Sequence, residues 1–274
     1  MIQSLSAGVS GIQQFQEKLD VIGNNIANSN TLGFKSGRAD FEDTFSQTMT
    51  GGTSPIQIGS GVSTGTVQSM FGQGTITATG NPTDVAIDGD GFFTVRDPVS
   101  GKEFATRAGN FNRDSQGYLV TAEGYRVQGY QDAGLGAPGD IRIDETGQPN
   151  GGTALMNNFN IDKYGKVHII LDDGAGTDFV RGQILLQKFQ NPGALVKEGK
   201  NLYSGITAAG PLAASVAPDT NGVGTISSEH LEMSNVDLAA EFADLITTQR
   251  GFQASARIIT TSDEMLQEVV NLKH

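Results

Sequence analysis

Apolar residues in the opening segment fall at Leu5, Val9, Ile12, Phe15, Leu19, Ile22 and Ile26, three or four positions apart. Six steps over 21 positions give a mean of 3.5, the repeat of a coiled-coil-like seam. Leu5, Ile12, Leu19 and Ile26 keep a strict seven-residue spacing, and Gln13, Gln14, Gln16, Glu17, Lys18 and Asn24 supply a polar side. The pattern predicts a helix that ends in the stretch "NNIANSNTLGFKSG". There Asn and Ser compete with the backbone for hydrogen bonds, and Gly33 and Gly37 admit positive φ, so an ordered turn is expected.

The far end of the chain carries the same period. Leu238, Leu245, Phe252, Ile259 and Leu266 repeat every seven residues, and Phe242, Ala256 and Val270 form a second row that Gln249 and Asp263 interrupt. Ser234 is the expected N-cap, with Asp237 in the place of a capping-box acid. Gly251 weakens this helix by about 1 kcal/mol relative to Ala. Two thin apolar stripes make a poor core of their own. They pair as a two-helix stalk within one molecule, or they assemble with neighbouring subunits; an open head-to-tail interface of that kind produces a filament.

Between the helical ends the period changes to two. All eight prolines lie here, and short alternating runs are divided by Gly-rich turns. "DVAIDGDGFFTV" is expected to be a hairpin. "RDSQGYL" and "IDKYGKV" resemble each other, each with an Asp three residues before a Gly. The fold class read from the pattern is α+β: N- and C-terminal helices paired as a coiled-coil-like stalk, with a central irregular all-β domain. The expected divisions are 1–34 with 234–274 for the helices, 35–75 for an extended or β connector, and 76–233 for the β domain with a Gly-rich return connector at 204–228.

Charge and composition narrow the function. A net charge of −12 argues against nucleic-acid binding, which needs a basic stripe. The absence of cysteine excludes disulfides, thiolate metal sites and a Cys nucleophile. Lys18 is the first basic side chain and the opening helix is half polar, so a Sec-type signal is not predicted. No apolar run reaches the length of a membrane span. Asp84, Asp88 and Asp90 resemble part of a calcium loop, but the acid expected at its twelfth position is missing, and a turn is the better reading. His168, His230 and His274 have no nucleophile context. No catalytic, cofactor or metal residues are assigned.

"LDVIGNNIANSNTLGFKSGRADFED", "TRAGNFNRDSQGYLVTAEGYRVQGY", "NLYSGI" and "LEMSNVDLAAEFADLITTQRGFQASARIITTSDEMLQEVVNLKH" resemble, in order, the signature segments of the flagellar rod and hook axial proteins. Within that family the C-terminal segment and "TSPIQIGSGVSTGTVQSMFGQG" are most similar to short hook members, with distal rod members as the alternative. The remaining alternative is a β-rich enzyme or carbohydrate-binding protein with a dimerising stalk.

The resemblance implies a subunit of a curved hollow tube that transmits torque and serves as an export channel. It implies inner-tube packing by Leu5, Val9, Ile12, Phe15, Leu19, Ile22, Ile26, Leu238, Phe242, Leu245, Phe252, Ile259, Leu266 and Val270. Asn28, Thr31, Gly33 and Phe34 match the family's turn motif, and Gln249, Arg250, Gln253 and Arg257 are expected to face the lumen. The implied partners are further copies of the chain, the distal rod, hook cap and hook–filament junction proteins, and the type III export apparatus, with no nucleic acid and no membrane insertion. The implied location is the extracellular hook, reached without a cleaved signal peptide.

Overall fold

The computed structural model describes residues 2–44, 46–50, 55–132, 136, 138–148, 154–174, 176–211 and 215–272. The chain is α+β and divides into two compact units, one of residues 1–29, 35–70 and 236–274 and one of residues 30–34 and 71–235.

The first unit is built on two helices, α1 (Ile2–Ala27) and α2 (Leu238–Asn271). Asp237, not Ser234, caps α2: its carboxylate accepts from the N–H groups of Ala239 (2.9 Å) and Ala240 (3.3 Å). An aspartate satisfies two orphan donors and adds negative charge at the positive end of the helix. The segment expected as an extended or β connector holds antiparallel strands β1 (Gly37–Asp43), β2 (Ser46–Thr50), β3 (Pro55–Gly59) and β4 (Val62–Ser69). β1 pairs with β4 and β2 with β3, the arrangement of one long hairpin with a bulge at Asp40/Phe41. Two strands alone are marginal in water. This pair leans on α1: Ser10 Oγ accepts from the Val62 N–H (3.3 Å), and Thr64 Oγ1 bonds to Gln14 and Glu17. Phe41 meets Phe15 edge to face at 6.4 Å.

The second unit holds the remaining strands: β5 (Ile76–Ala78), β6 (Val85–Asp88), β7 (Phe92–Arg96), β8 (Glu103–Thr106), β9 (Asn112–Arg113), β10 (Leu119–Val120), β11 (Arg126–Tyr130), β12 (Pro138–Asp140), β13 (Met156–Ile161), β14 (Lys166–Leu171), β15 (Asp178–Ile184), β16 (Leu186–Gln187), β17 (Val196–Gly199), β18 (Leu202–Ser204), β19 (Thr225–Ser228) and β20 (His230–Glu232). The main path of its large sheet runs β13-β14-β15-β11-β7-β8-β18-β17. Alternation places Val167, Ile169 and Leu171 of β14 inward, against Val95, Val127, Ile141, Ile143 and Ile184.

The two look-alike segments are the same turn built twice. Gly117 N–H donates to Asp114 O and Gly165 N–H to Asp162 O, with both glycines at positive φ. The expected hairpin over "DVAIDGDGFFTV" is not formed: β6 pairs with β19, and β7 pairs with β8, β11 and β16. Gly89 and Gly91 take φ of 112° and 137°, and Gly224 N–H bonds to Asp90 O (2.7 Å). The glycines send the chain into another sheet instead of folding it back on itself.

Candidate assembly site

The α1–α2 seam is not lined by the apolar rows alone. On α1, Gly8, Gly11, Gln14, Ile22 and Asn25 are buried, while Leu5, Ile12, Phe15, Leu19 and Ile26 are partly buried and Val9 is exposed. On α2, Leu245, Phe252, Ile259 and Leu266 are partly buried, and the fully buried positions are Thr248, Ser255 and Ser262. Of the expected second row only Ala256 is partly buried: Phe242 is 50% exposed and Val270 60%, and Leu238, the first member of the heptad row, is exposed as well. The reason is close approach. A Cβ on Gly11 would sit 3.1 Å from Ser255 Oγ, one on Gly8 3.1 Å from Ile259 Cγ1, and one on Gly251 2.6 Å from Phe15 Cζ. Small side chains let two backbones approach, which large apolar ones would prevent. Thr248 remains satisfied there because its hydroxyl donates to Asp244 O (2.6 Å).

Asn25 ties this seam to the hairpin. It is 2% exposed; its Oδ1 accepts from Gly37 N–H (2.8 Å), and its Nδ2 donates to Gly37 O (2.8 Å) and to Glu241 Oε1 (2.9 Å). Burial pushes the Glu241 carboxyl above its ordinary range; the Asn25 bond opposes this, and the charge of Asp244 adds to it.

Two apolar stripes of α2 remain exposed. Leu238, Phe242 and Ile246 lie four residues apart on one side, and Ile258, Met265 and Val269 on another. The expected lumen-facing residues Gln249, Arg250, Gln253 and Arg257 are all exposed, and Arg250 continues the row of Leu238, Phe242 and Ile246. Surface apolar stripes of this length on a long helix mark a site of contact with another chain.

The turn-motif residues are placed as follows. Asn28 Nδ2 donates to Asn24 O (2.9 Å), closing the last turn of α1. Thr31 O accepts from Phe34 N–H (3.3 Å), and Gly33, at φ 65°, donates its N–H to Glu232 O (2.8 Å). A Cβ on Gly33 would press on the backbone of Arg107 and Ala108. Phe34 is buried, with Lys197 Nζ 4.8 Å above its ring.

Within the β unit, Arg107 and Glu232 form a buried pair (3.4 Å) that sequence reading did not mark. Burial pulls the Arg107 guanidinium down, and Glu232 offsets this; burial also pushes the Tyr203 phenol up to about 12. Asp84, Asp88 and Asp90 diverge to different partners, Thr79 (2.7 Å), Gln73 (3.3 Å) and Lys188 (2.9 Å). Among the described residues no group of acids and histidines is arranged to hold a metal ion.

Asp140 and Asp144 anchor two ion-paired edges. Burial raises both carboxyls, but hydrogen bonds from Gln128 and Arg126 to Asp140, and from Arg181 and Thr146 to Asp144, outweigh it and leave both below the ordinary 3.8. Their stabilisation is therefore present above the unfolded-state value and is lost as pH falls through the lower folded-state value. The β unit is expected to stay fully stable down to about pH 4 and to weaken below it, and Asp144→Asn should flatten that fall. Urea titrations at several pH values check this.

The family description "Flagella basal body rod protein" matches residues 5–35, "Flagellar hook protein FlgE/F/G D1 domain" residues 86–169, and "Flagellar basal body rod FlgEFG protein C-terminal" residues 227–272. The chain is 44% identical over 282 aligned residues to the "Flagellar basal-body rod protein FlgG" of Bacillus subtilis, with all of both chains covered. It is 38% identical to the protein of the same description from Caulobacter vibrioides, covering 99% of this chain and 100% of the relative. It is 27% identical to the "Flagellar hook protein FlgE" of Borreliella burgdorferi over 448 aligned residues, with all of both chains covered.

Proposed function

This chain belongs to the flagellar basal-body rod and hook protein family, whose members are structural and not enzymes, and on that premise we propose that it is a distal rod subunit. The observation that carries the rod reading over the hook reading is full-length alignment without large gaps. The 274 residues align with the Bacillus rod protein over 282 positions, whereas the Borreliella hook protein needs 448. The short-hook likeness of the C-terminal segment yields to that comparison. The hairpin laid along α1 supports the same choice. Its bonds to Ser10, Gln14 and Glu17 brace the helix over about two turns, which suits a stiff shaft better than a bending joint.

In this reading α1 and α2 form an inner tube, and the exposed stripe Ile258, Met265 and Val269 of α2 meets neighbouring copies. The row Gln249, Gln253 and Arg257, with Arg250, presents a hydrated wall to the channel. The partners are further copies of the chain, the adjoining rod and hook segments and the type III export apparatus, and the place is the flagellar axis. Assembled full-length protein imaged by electron microscopy tests the choice. Straight tubes are expected, and supercoiled tubes would overturn the rod assignment in favour of the hook.

A further inference from the structure

We propose that Met265 is an oxidation site that governs assembly: in the free chain its thioether takes up an oxygen atom from a peroxide, and the sulfoxide so formed keeps α2 from joining another copy. The consequence for assembly rests on the reading that copies meet along Ile258, Met265 and Val269; the oxidation itself does not.

Exposure selects the residue. The chain has six methionines. Among those whose side chains are described, Met265 is 52% exposed and Met70 41%, while Met156 and Met233 are partly buried. A peroxide must reach the sulfur lone pair, so access sets the order of reaction.

Position gives the modification its effect. Met265 stands seven residues after Ile258 and four before Val269, within one exposed apolar stripe. It also lines an open groove of about 680 Å³ along the same helix. As a thioether the side chain is apolar and adaptable, which suits a contact with another chain.

In the reaction one peroxide oxygen bonds to sulfur and the O–O bond breaks. Sulfur gives up two electrons, the peroxide is reduced, and its second oxygen leaves as water. The product carries a strong acceptor among groups poorly placed to serve it. The Thr261 hydroxyl, one turn earlier, is already bonded to Arg257 O (2.9 Å) and Ile258 O (3.1 Å). Gln267 Nε2 donates to Asp263 Oδ2 (3.0 Å), and Glu264 and Glu268 are acceptors as carboxylates. Water serves the sulfoxide on the free chain. A second copy covering the stripe removes that water, and the cost of burying an unpaired polar group falls on each contact.

Full-length chain treated with hydrogen peroxide, cleared of oxidant, and followed by sedimentation and peptide mass spectrometry tests the proposal. Sulfoxide should appear at Met265 in the monomer, and the concentration needed for polymer should rise about tenfold. Treatment with methionine sulfoxide reductases of both epimer specificities should restore assembly. Met265→Leu, close in volume and without sulfur, should assemble like untreated wild type and remain so after peroxide. Met70→Leu should give no such protection. Met265→Gln, polar and unbranched, should show the raised threshold with no oxidant, and tubes assembled first should resist modification at Met265. The proposal is overturned if peroxide inhibits Met265→Leu as strongly as wild type, if Met265→Gln assembles as well as wild type, or if Met265 oxidises as fast in tubes as in monomer. None of these outcomes depends on whether the tubes are straight or supercoiled, the result that decides between rod and hook. Untreated chain that forms no polymer at all would remove the assembly reading itself, and this proposal with it.

Discussion

Replacing Glu232 by Leu is expected to destabilise the β unit by about 3–5 kcal/mol, because it leaves a buried guanidinium without its counter-charge. The Arg107 and Glu232 side chains are 3% and 0% exposed, and Arg107 Nη1 lies 3.4 Å from Glu232 Oε2. The other carboxylate oxygen accepts from Gly74 N–H at 2.8 Å, so the substitution also orphans a backbone donor. Among the described residues Arg107 has little else to turn to: its Nε is buried without a partner, the face of the Phe92 ring lies 5.1 Å away, and Asp90 adds a favourable charge. Burial already lowers the guanidinium pKa, which measures how unwelcome the charge is there. Urea unfolding followed by aromatic circular dichroism, to which the buried Tyr203 beside Phe71 and Phe92 contributes, reads the loss. The double substitution Arg107→Met with Glu232→Leu should recover most of it, since the penalty belongs to the unpaired charge and not to the missing bridge. A loss below about 1 kcal/mol for Glu232→Leu alone would show that solvent reaches Arg107.

How far the sequence disclosed this structure depends on what each position contributes. The heptad row Leu245, Phe252, Ile259 and Leu266 was legible because apolar periodicity is the signal that burial imposes. The second face of the seam was not. Thr248, Ser255 and Ser262 count as polar in any hydrophobic pattern, yet they are buried because their small size brings the helices together. Each is seven residues from the next, so a search for small residues at heptad spacing finds them. Val270 was legible as apolar but not as exposed, since the sequence does not state which apolar stripe is satisfied within one molecule. Asn25 gave a fainter mark: an asparagine inside a helix, where it is unfavourable unless its amide is used. The pairing of β6 with β19 and the meeting of Arg107 with Glu232 join residues more than 100 positions apart. Local pattern carries no information about such contacts.

Gly251 joins both lessons, and the second large effect is expected there. By helix propensity alone it is a defect, and Gly251→Ala should stabilise α2 by about 1 kcal/mol. The structure reverses that expectation. Phe15 Cζ and Cε1 stand 2.6 and 2.7 Å from where a Cβ would be, so the glycine is the hole that receives the Phe15 knob. Phe15 cannot retreat freely, because its ring is also held edge to face against Phe41 of the hairpin. Gly251→Leu should therefore separate the seam, destabilising the helical unit by about 3 kcal/mol through overpacking, while the β unit keeps its unfolding midpoint. Helical circular dichroism of the full-length monomer and its urea titration report the two units separately. Phe15→Ala alone empties the hole and should cost about as much, by leaving a cavity. The two changes together restore one large side chain on one side of the seam and should be less damaging than their sum by 1 kcal/mol or more. Additive losses would mean that Phe15 and Gly251 do not face each other in solution. If the exposed stripe Ile258, Met265 and Val269 of α2 is where copies meet, Gly251→Leu should also abolish polymer formation, because it changes the presentation of that stripe without altering a residue in it. Polymer from a variant whose helical unit is shown to be loosened would place the assembly contacts elsewhere.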